Sequence, residues 1–272
     1  MTKLQCLNAN CGRIYDDGGE LFRLACDADH NPSLLAPKFS VDQINFRSEL
    51  PGIFPYIDWL PTNGYYLDPK GFELGKPYAY RSKGLAKRLG LKNLYIAFNG
   101  YWPERGGNLL TRSFKEFEAQ ATLARYLSLE SMEAKKPFII SSAGNTANSF
   151  NLMSALIDMP IVLMVPESGL VNMCVPIETN PFLIVVRGDY TDVILMADRL
   201  AAKTGLMREG GAANVARRSG LGTVMLNAVA HPEQGSGFTF DHYFQAIGSG
   251  TGAIACWEAT QLLLKDGRFG NT

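Results

Sequence analysis

From about residue 81 the chain alternates two hydrophobic patterns. Short, nearly unbroken apolar runs predict strands over 93–98 (NLYIAF), 137–141 (PFIIS), 160–165 (PIVLMV), 182–186 (FLIVV) and 241–247 (DHYFQAI). Between and after them, helical spacing predicts helices over 82–89, 114–129, 147–156 and 191–204, and from a glycine-rich turn at 248–252 through Lys265. Gly90 stops the first of these helices, and Thr191 or Asp189 caps the fourth. Strands that are apolar along their whole length are buried on both faces. The pattern therefore predicts an α/β fold, with parallel sheets covered by helices. The N-terminal part lacks this alternation. It is rich in Gly, Pro, Asn and Asp, and reads as loops and short strands. The expected organisation is an N-terminal extension over 1–80 and an α/β core over 81–272.

Composition adds bounds to this picture. The 272 residues are 46% hydrophobic, enough for a sizeable buried core. Lys and Arg number 26, and Asp and Glu number 26, with no basic block, which argues against nucleic acid as a partner. A small anionic ligand needs only a local site and stays open. The first eleven residues are polar and mixed, unlike a signal peptide. The most apolar stretch, 152–165, is interrupted by Asp158 and Pro160 and is too short to span a membrane. A soluble, cytoplasmic protein is the expectation.

Cys6, Cys11, Cys26, Cys174 and Cys256 are odd in number and scattered, unlike a disulfide framework. Cys6 and Cys11 followed by Cys26 resemble a zinc knuckle. The first pair is spaced C-x4-C, however, and Cys26 is followed by Asp27 and Asp29 instead of a second cysteine. His30 could be recruited, but the expected state is a degenerate knuckle without metal, and His30, His231 and His242 are too dispersed to form a metal set.

Three segments carry candidate chemistry. Lys115, in Ser113-Phe114-Lys115-Glu116, opens a helix just after a glycine-rich loop. A lysine there can become a Schiff-base nucleophile if its ammonium is desolvated. Ser142, Gly144, Asn145 and Thr146 lie between an apolar strand and a helix, where hydroxyls, an amide and free N–H groups suit a carboxylate. Gly248-Ser249-Gly250-Thr251-Gly252 forms a third strand-to-helix turn, which can wrap its backbone around an anion. It matches neither the dinucleotide fingerprint nor a Walker A loop. A parallel sheet gathers such turns at one edge, where ligands bind. A lysine, a carboxylate seat and a phosphate seat are what an amino-acid enzyme using pyridoxal phosphate requires.

The order Ser-Phe-Lys, Ser-Ala-Gly-Asn-Thr, Gly-Ser-Gly-Thr-Gly resembles the threonine synthase branch of the tryptophan-synthase-β fold, the fold type II pyridoxal-phosphate enzymes. Along 93–104, 209–226 and 241–270 the chain is similar more narrowly to the cysteate synthases. The resemblance implies β-replacement on O-phosphoserine by sulfite, giving cysteate and phosphate for coenzyme M synthesis. Threonine synthase-like phosphate elimination or replacement is the alternative. It implies Lys115 as the Schiff-base lysine and α-proton base, and Asn145 on the cofactor's ring hydroxyl. Gly248, Ser249, Gly250, Thr251 and Gly252 would hold the cofactor phosphate. Ser142, Gly144 and Thr146 would hold the substrate carboxylate, and Arg217 its phosphate. Ala147-Asn148 stands where the family has Gly-Arg, and Arg112 could supply a replacement charge. The family pattern continues past Gly270, so a homo-oligomer, a complementing C-terminal chain or a non-catalytic subunit is a further expectation.

Overall fold

The computed structural model describes residues 3–17, 24–69, 71–128, 137–231 and 240–270. In chain order the strands are β1 (Lys3–Cys6), β2 (Ile14–Asp16), β3 (Leu35–Lys38), β4 (Ala79–Arg81), β5 (Tyr95–Ala97), β6 (Tyr101–Trp102), β7 (Gly107–Asn108), β8 (Phe138–Ser141), β9 (Ile161–Pro166) and β10 (Phe182–Val186). The α-helices are α1 (Lys83–Leu89), α2 (Lys115–Leu127), α3 (Asn145–Leu156), α4 (Tyr190–Thr204), α5 (Val215–Val229) and α6 (Thr251–Asp266).

Strands β8, β9 and β10 form a parallel sheet in the order β10-β9-β8. Its β8 edge is extended by residues 207–209: Ile139 N donates to Met207 O (2.8 Å), and Glu209 N donates to Ile139 O (3.0 Å). The unbroken apolar runs of β8 and β9 follow from burial on both faces, whereas the edge strand β10 leaves Phe182, Leu183 and Val185 exposed. Ile161, Leu163 and Val165 join the core that holds Phe117 of α2 and Phe150 of α3. The intervening Val162 and Met164 pack with Val193 and Ala197 of α4. Helix α4 is closed at its start by Asp189, whose carboxylate accepts from the N–H groups of Thr191 and Asp192.

Two expected strands differ from expectation. The run at 93–98 yields β5, which pairs antiparallel with β4 and stands outside the parallel sheet. The run at 241–247 forms no strand, and Phe244 and Ile247 are 89% and 69% exposed. An apolar run becomes a strand only beside a hydrogen-bonding neighbour, and among the described residues none lies next to it. The boundary expected near residue 80 falls inside β4. Ile53 and Phe54 share the core of Phe117, while Tyr56 and Trp59 pack with Met225 of α5. The described part of the N-terminal segment is thus built into the main core.

Helix α5 had no counterpart in the expected elements, because Gly220 and Gly222 interrupt its pattern. Their reason is tertiary: α5 is clasped between α2 and α6. A Cβ on Gly220 would lie 2.2 Å from Phe117 O, and one on Gly222 3.0 Å from Ala255 O. Gly220→Ala should therefore force α5 off α2 and cost about 1–3 kcal/mol despite alanine's better helix propensity, read as a lower urea midpoint.

In the N-terminal sheet β1 pairs antiparallel with both β2 and β3. His30 joins the three cysteines of the expected degenerate knuckle: ligand atoms of Cys6, Cys11, Cys26 and His30 all lie within 4.8 Å of one another. Spacing along the chain hid this, because the fold back through β2 and β3 brings residues 24 apart together. Among the described residues no helix is long and apolar enough to cross a membrane.

Candidate active site

Three segments spread over more than a hundred residues of the chain meet at one cavity of about 490 Å³. Lys115, Ser142, Thr146, Arg217 and residues 248–252 line it, and among the described residues its lining contains no carboxylate. Another cavity of the same volume, lined by Arg47, Glu49 and Asp58, contains none of these segments, so the chemistry places the site at the first. Gly144 and Asn145 begin α3 but do not line the cavity; Asn145 is exposed there.

Each turn is shaped by its sequence. Gly250 takes a left-handed conformation (φ 78°) as the N-cap of α6 and brings no side chain to cap it. Helix α3 likewise starts without a side-chain cap. Both helix starts thus leave their first N–H groups for a ligand, at the end where the dipole favours an anion. Ser249 Oγ and Thr251 Oγ1 lie 2.8 Å apart, and Ser142 Oγ accepts from Gly144 N (3.2 Å). A Cβ on Gly252 would press on the Phe114 ring at 3.1 Å and displace the Gln245 amide. The bare backbone at this turn suits the close approach of a phosphate.

Behind the cavity wall lies a buried charge network. Lys115 Nζ donates to Glu118 Oε2 (3.1 Å) and sits 5.0 Å from the centroid of the Phe114 ring. Glu118, wholly buried, also accepts from Arg217 Nε (2.9 Å), Arg217 Nη2 (2.7 Å) and Thr146 Oγ1 (2.8 Å). Arg217 Nη1 donates to Glu209 Oε2 (2.8 Å) and Nη2 to Thr146 Oγ1 (2.9 Å). Burial pushes the Glu118 carboxyl up, but Arg217 and Lys115 outweigh it and hold the pKa below the ordinary value. Burial raises Glu209, and Arg217 only partly offsets this. Burial would lower Arg217, yet Glu118 and Glu209 raise it above its usual range. The guanidinium assigned by sequence to the substrate phosphate is therefore already clamped by two carboxylates, although part of it lines the cavity.

Sequence reasoning missed Glu118 and Glu209, and also Tyr190, which lines the cavity. Glu118 was reachable, since i,i+3 spacing from Lys115 puts the two on one helix face. Glu209 meets Arg217 because residues 207–209 flank β8, which no local pattern announces. The compensating charge expected from Arg112 is not supplied, because Arg112 is exposed, left-handed (φ 55°) and outside the cavity lining. Asn148, at the position of the family's arginine, holds the main chain: Nδ2 donates to Asn172 O (2.8 Å), and Oδ1 accepts from Cys174 N (3.0 Å).

Glu116, next to Lys115, is buried and accepts from Thr111 N, and among the described residues its other oxygen has no partner. Burial, opposed by the Thr111 bond, lifts its pKa from 4.5 to about 7. A raised carboxyl favours the fold while protonated. Its contribution is complete below pH 4.5 and is lost as pH rises through about 7. The loss amounts to about 3 kcal/mol. Glu116→Gln should flatten the fall in urea midpoint between pH 5 and pH 8, and an unchanged slope would refute the assignment.

Uncapped helix starts and a lysine beside one cavity are fixtures that a phosphorylated, carbonyl-bearing cofactor needs. Residues 77–269 match the model of the family described as "Pyridoxal-phosphate dependent enzyme", and the chain belongs to that family. It is similar to the cysteate synthase of Methanothrix thermoacetophila, with 46% identity over 269 residues covering 98% of this chain and 60% of that protein. It is also similar to the cysteate synthase of Methanoculleus marisnigri, with 44% identity over 262 residues covering 96% and 57%. The chain spans about three-fifths of the length of the curated relatives it matches. Among solved structures it resembles a threonine deaminase from Solanum lycopersicum at TM-score 0.53 and 15% identity, covering 93% of this chain and 63% of that one. An ACC deaminase homologue gives TM-score 0.53 and 16% identity, covering 80% and 64%. These two likenesses concern the fold, the fold type II pyridoxal-phosphate arrangement of a parallel sheet covered by helices. Pyridoxal phosphate is the family's cofactor, and the uncapped start of α6 and Lys115 in the same cavity fit it.

Proposed function

We propose that this chain carries the cofactor-binding site of an enzyme that replaces the phosphate of O-phosphoserine with sulfite, giving cysteate and phosphate. The observation that carries this reading is the shared cavity of Lys115, Ser142, Thr146 and residues 248–252, in a chain so similar to cysteate synthases.

Pyridoxal phosphate, when bound, supplies a Schiff-base carbonyl and an electron sink for the charge left on the substrate's α-carbon. The start of α6 and the hydroxyls of Ser249 and Thr251 hold its phosphate. Asn145 is the candidate for the ring hydroxyl and would have to turn inward from its exposed position. Ser142, Gly144 and Thr146 present the start of α3 to the substrate carboxylate. Lys115 Nζ takes the α-proton after releasing Glu118, which holds the amine at the cavity wall at 3.1 Å. Among the described residues the lining offers Lys115 and Arg217 as cations and no carboxylate, which suits an anionic substrate followed by an anionic nucleophile.

The test is an assay of phosphate release by the chain loaded with pyridoxal phosphate. Phosphoserine with sulfite should release phosphate and form cysteate. Release only from phosphohomoserine with water would replace this reading with a threonine synthase-like one. No release from either would leave the chain as a cofactor-binding part of a larger enzyme.

A further inference from the structure

We propose that Cys6, Cys11, Cys26 and His30 bind one structural zinc ion that staples together the turns of the N-terminal sheet, which packs on the start of α5. The four residues come from three places. Cys6 ends β1, Cys11 lies in the turn before β2, and Cys26 and His30 lie on the return toward β3. The two measured pairs have the spacing that tetrahedral zinc imposes. With bonds of about 2.3 Å to sulfur and about 2.0 Å to nitrogen, ligands sit about 3.8 Å apart for two sulfurs and about 3.5 Å apart for sulfur and nitrogen. Cys11 Sγ and Cys26 Sγ are 3.8 Å apart, and Cys6 Sγ and His30 Nε2 are 3.5 Å apart. A disulfide needs about 2.05 Å, and all the cysteines here are free.

The surroundings are those of a metal knuckle. Asn8 N–H donates to Cys6 Sγ (3.4 Å) and Ala28 N–H to Cys26 Sγ (3.5 Å), each two residues after its cysteine, which favours thiolates. His30 Nδ1 lies 2.6 Å from Asn31 O. That bond fixes the tautomer with the proton on Nδ1 and leaves Nε2 free to coordinate. Three cysteines and one histidine are a closed structural zinc set, with no open position for catalysis. Loading exchanges the thiol protons for one divalent ion, and the finished site carries one net negative charge.

The position gives the ion its role. Cys6 packs with Leu4, Leu35 and Val215, and Arg218 donates to Leu35 O from inside α5. Val215 follows Asn214, the N-cap of the helix that carries Arg217. The knuckle thus holds the outer end of the element that supports the charge network behind the active-site cavity.

The test is metal analysis of the whole chain, purified reduced and without chelator. About one zinc per chain is expected. Cobalt(II) added after zinc extraction should give the thiolate-to-cobalt band of a tetrahedral site. His30→Cys should keep the band and strengthen it, because four thiolates then bind. Cys26→Ser should weaken cobalt binding by at least about tenfold, and Cys174→Ser, outside the cluster, should leave it unchanged. If Cys26→Ser does not fold, extraction and cobalt reconstitution of the unaltered chain decide. Reduced thiols with no metal, a Cys11–Cys26 disulfide in mass spectra, or cobalt spectra without thiolate character would overturn the proposal. None of these readouts depends on the cofactor or on phosphate release.

Discussion

Lys115→Ala is expected to remove the enzyme's visible cofactor band, prevent borohydride from fixing pyridoxal phosphate to the chain, and lower phosphate release by more than about 10²–10⁴-fold. That range is what proton transfer alone contributes, and the lysine supplies the covalent anchor as well. The geometry argues for this residue over other lysines. Its amine is held at the wall of the cavity that the start of α6 also lines, paired with Glu118 at 3.1 Å, and the side chain is only 17% exposed. Lys115→Arg separates charge from nucleophilicity. It retains a cation for Glu118, so the fold should survive, yet a guanidinium does not give up its proton and forms no imine. A folded Lys115→Arg protein with borohydride-fixed cofactor on a different lysine would refute the assignment.

The features legible in the sequence were those whose cause is local. The runs at 137–141, 160–165 and 182–186 became β8, β9 and β10 within one residue at each end; for β8 and β9 burial on both faces writes itself as an unbroken apolar run, while β10 keeps the run with Phe182, Leu183 and Val185 exposed. The glycine and hydroxyl residues of the two turns marked helix starts, as α3 and α6 confirm. What stayed hidden depends on partners distant in the chain. Helix α5 tolerates Gly220 because α2 presses on it, and the residues at 241–247 form no strand for want of a neighbour. Arg217 was legible as a cation near the site, but its carboxylate partners come from α2 and from the strand-like segment beside β8. The site was thus readable as a set of anion seats, and the charges that hold it in shape were not.

Those hidden charges set the second large effect. Glu118→Ala should lower the free energy of unfolding by about 3–5 kcal/mol, the cost of leaving a buried guanidinium without its partner. Arg217 loses two of its hydrogen bonds, Thr146 and Lys115 lose one each, and Glu209 alone remains to neutralise Arg217. The sign with pH follows from the direction of the shift. Glu118 is depressed below its ordinary 4.5, so its contribution is present above that pH and fades as acid protonates it. The gap between wild type and Glu118→Ala should therefore be wide at pH 7 and narrow toward pH 3. The double variant Glu118→Met, Arg217→Met removes both charges, and should recover much of the stability while leaving Lys115 without its guide. Urea unfolding of wild type, Glu118→Ala and the double variant at both pH values makes the comparison. A single-variant loss under about 1 kcal/mol would mean that the network is weakly coupled. A double variant no more stable than the single one would mean that Glu209, and not Arg217, bears the penalty.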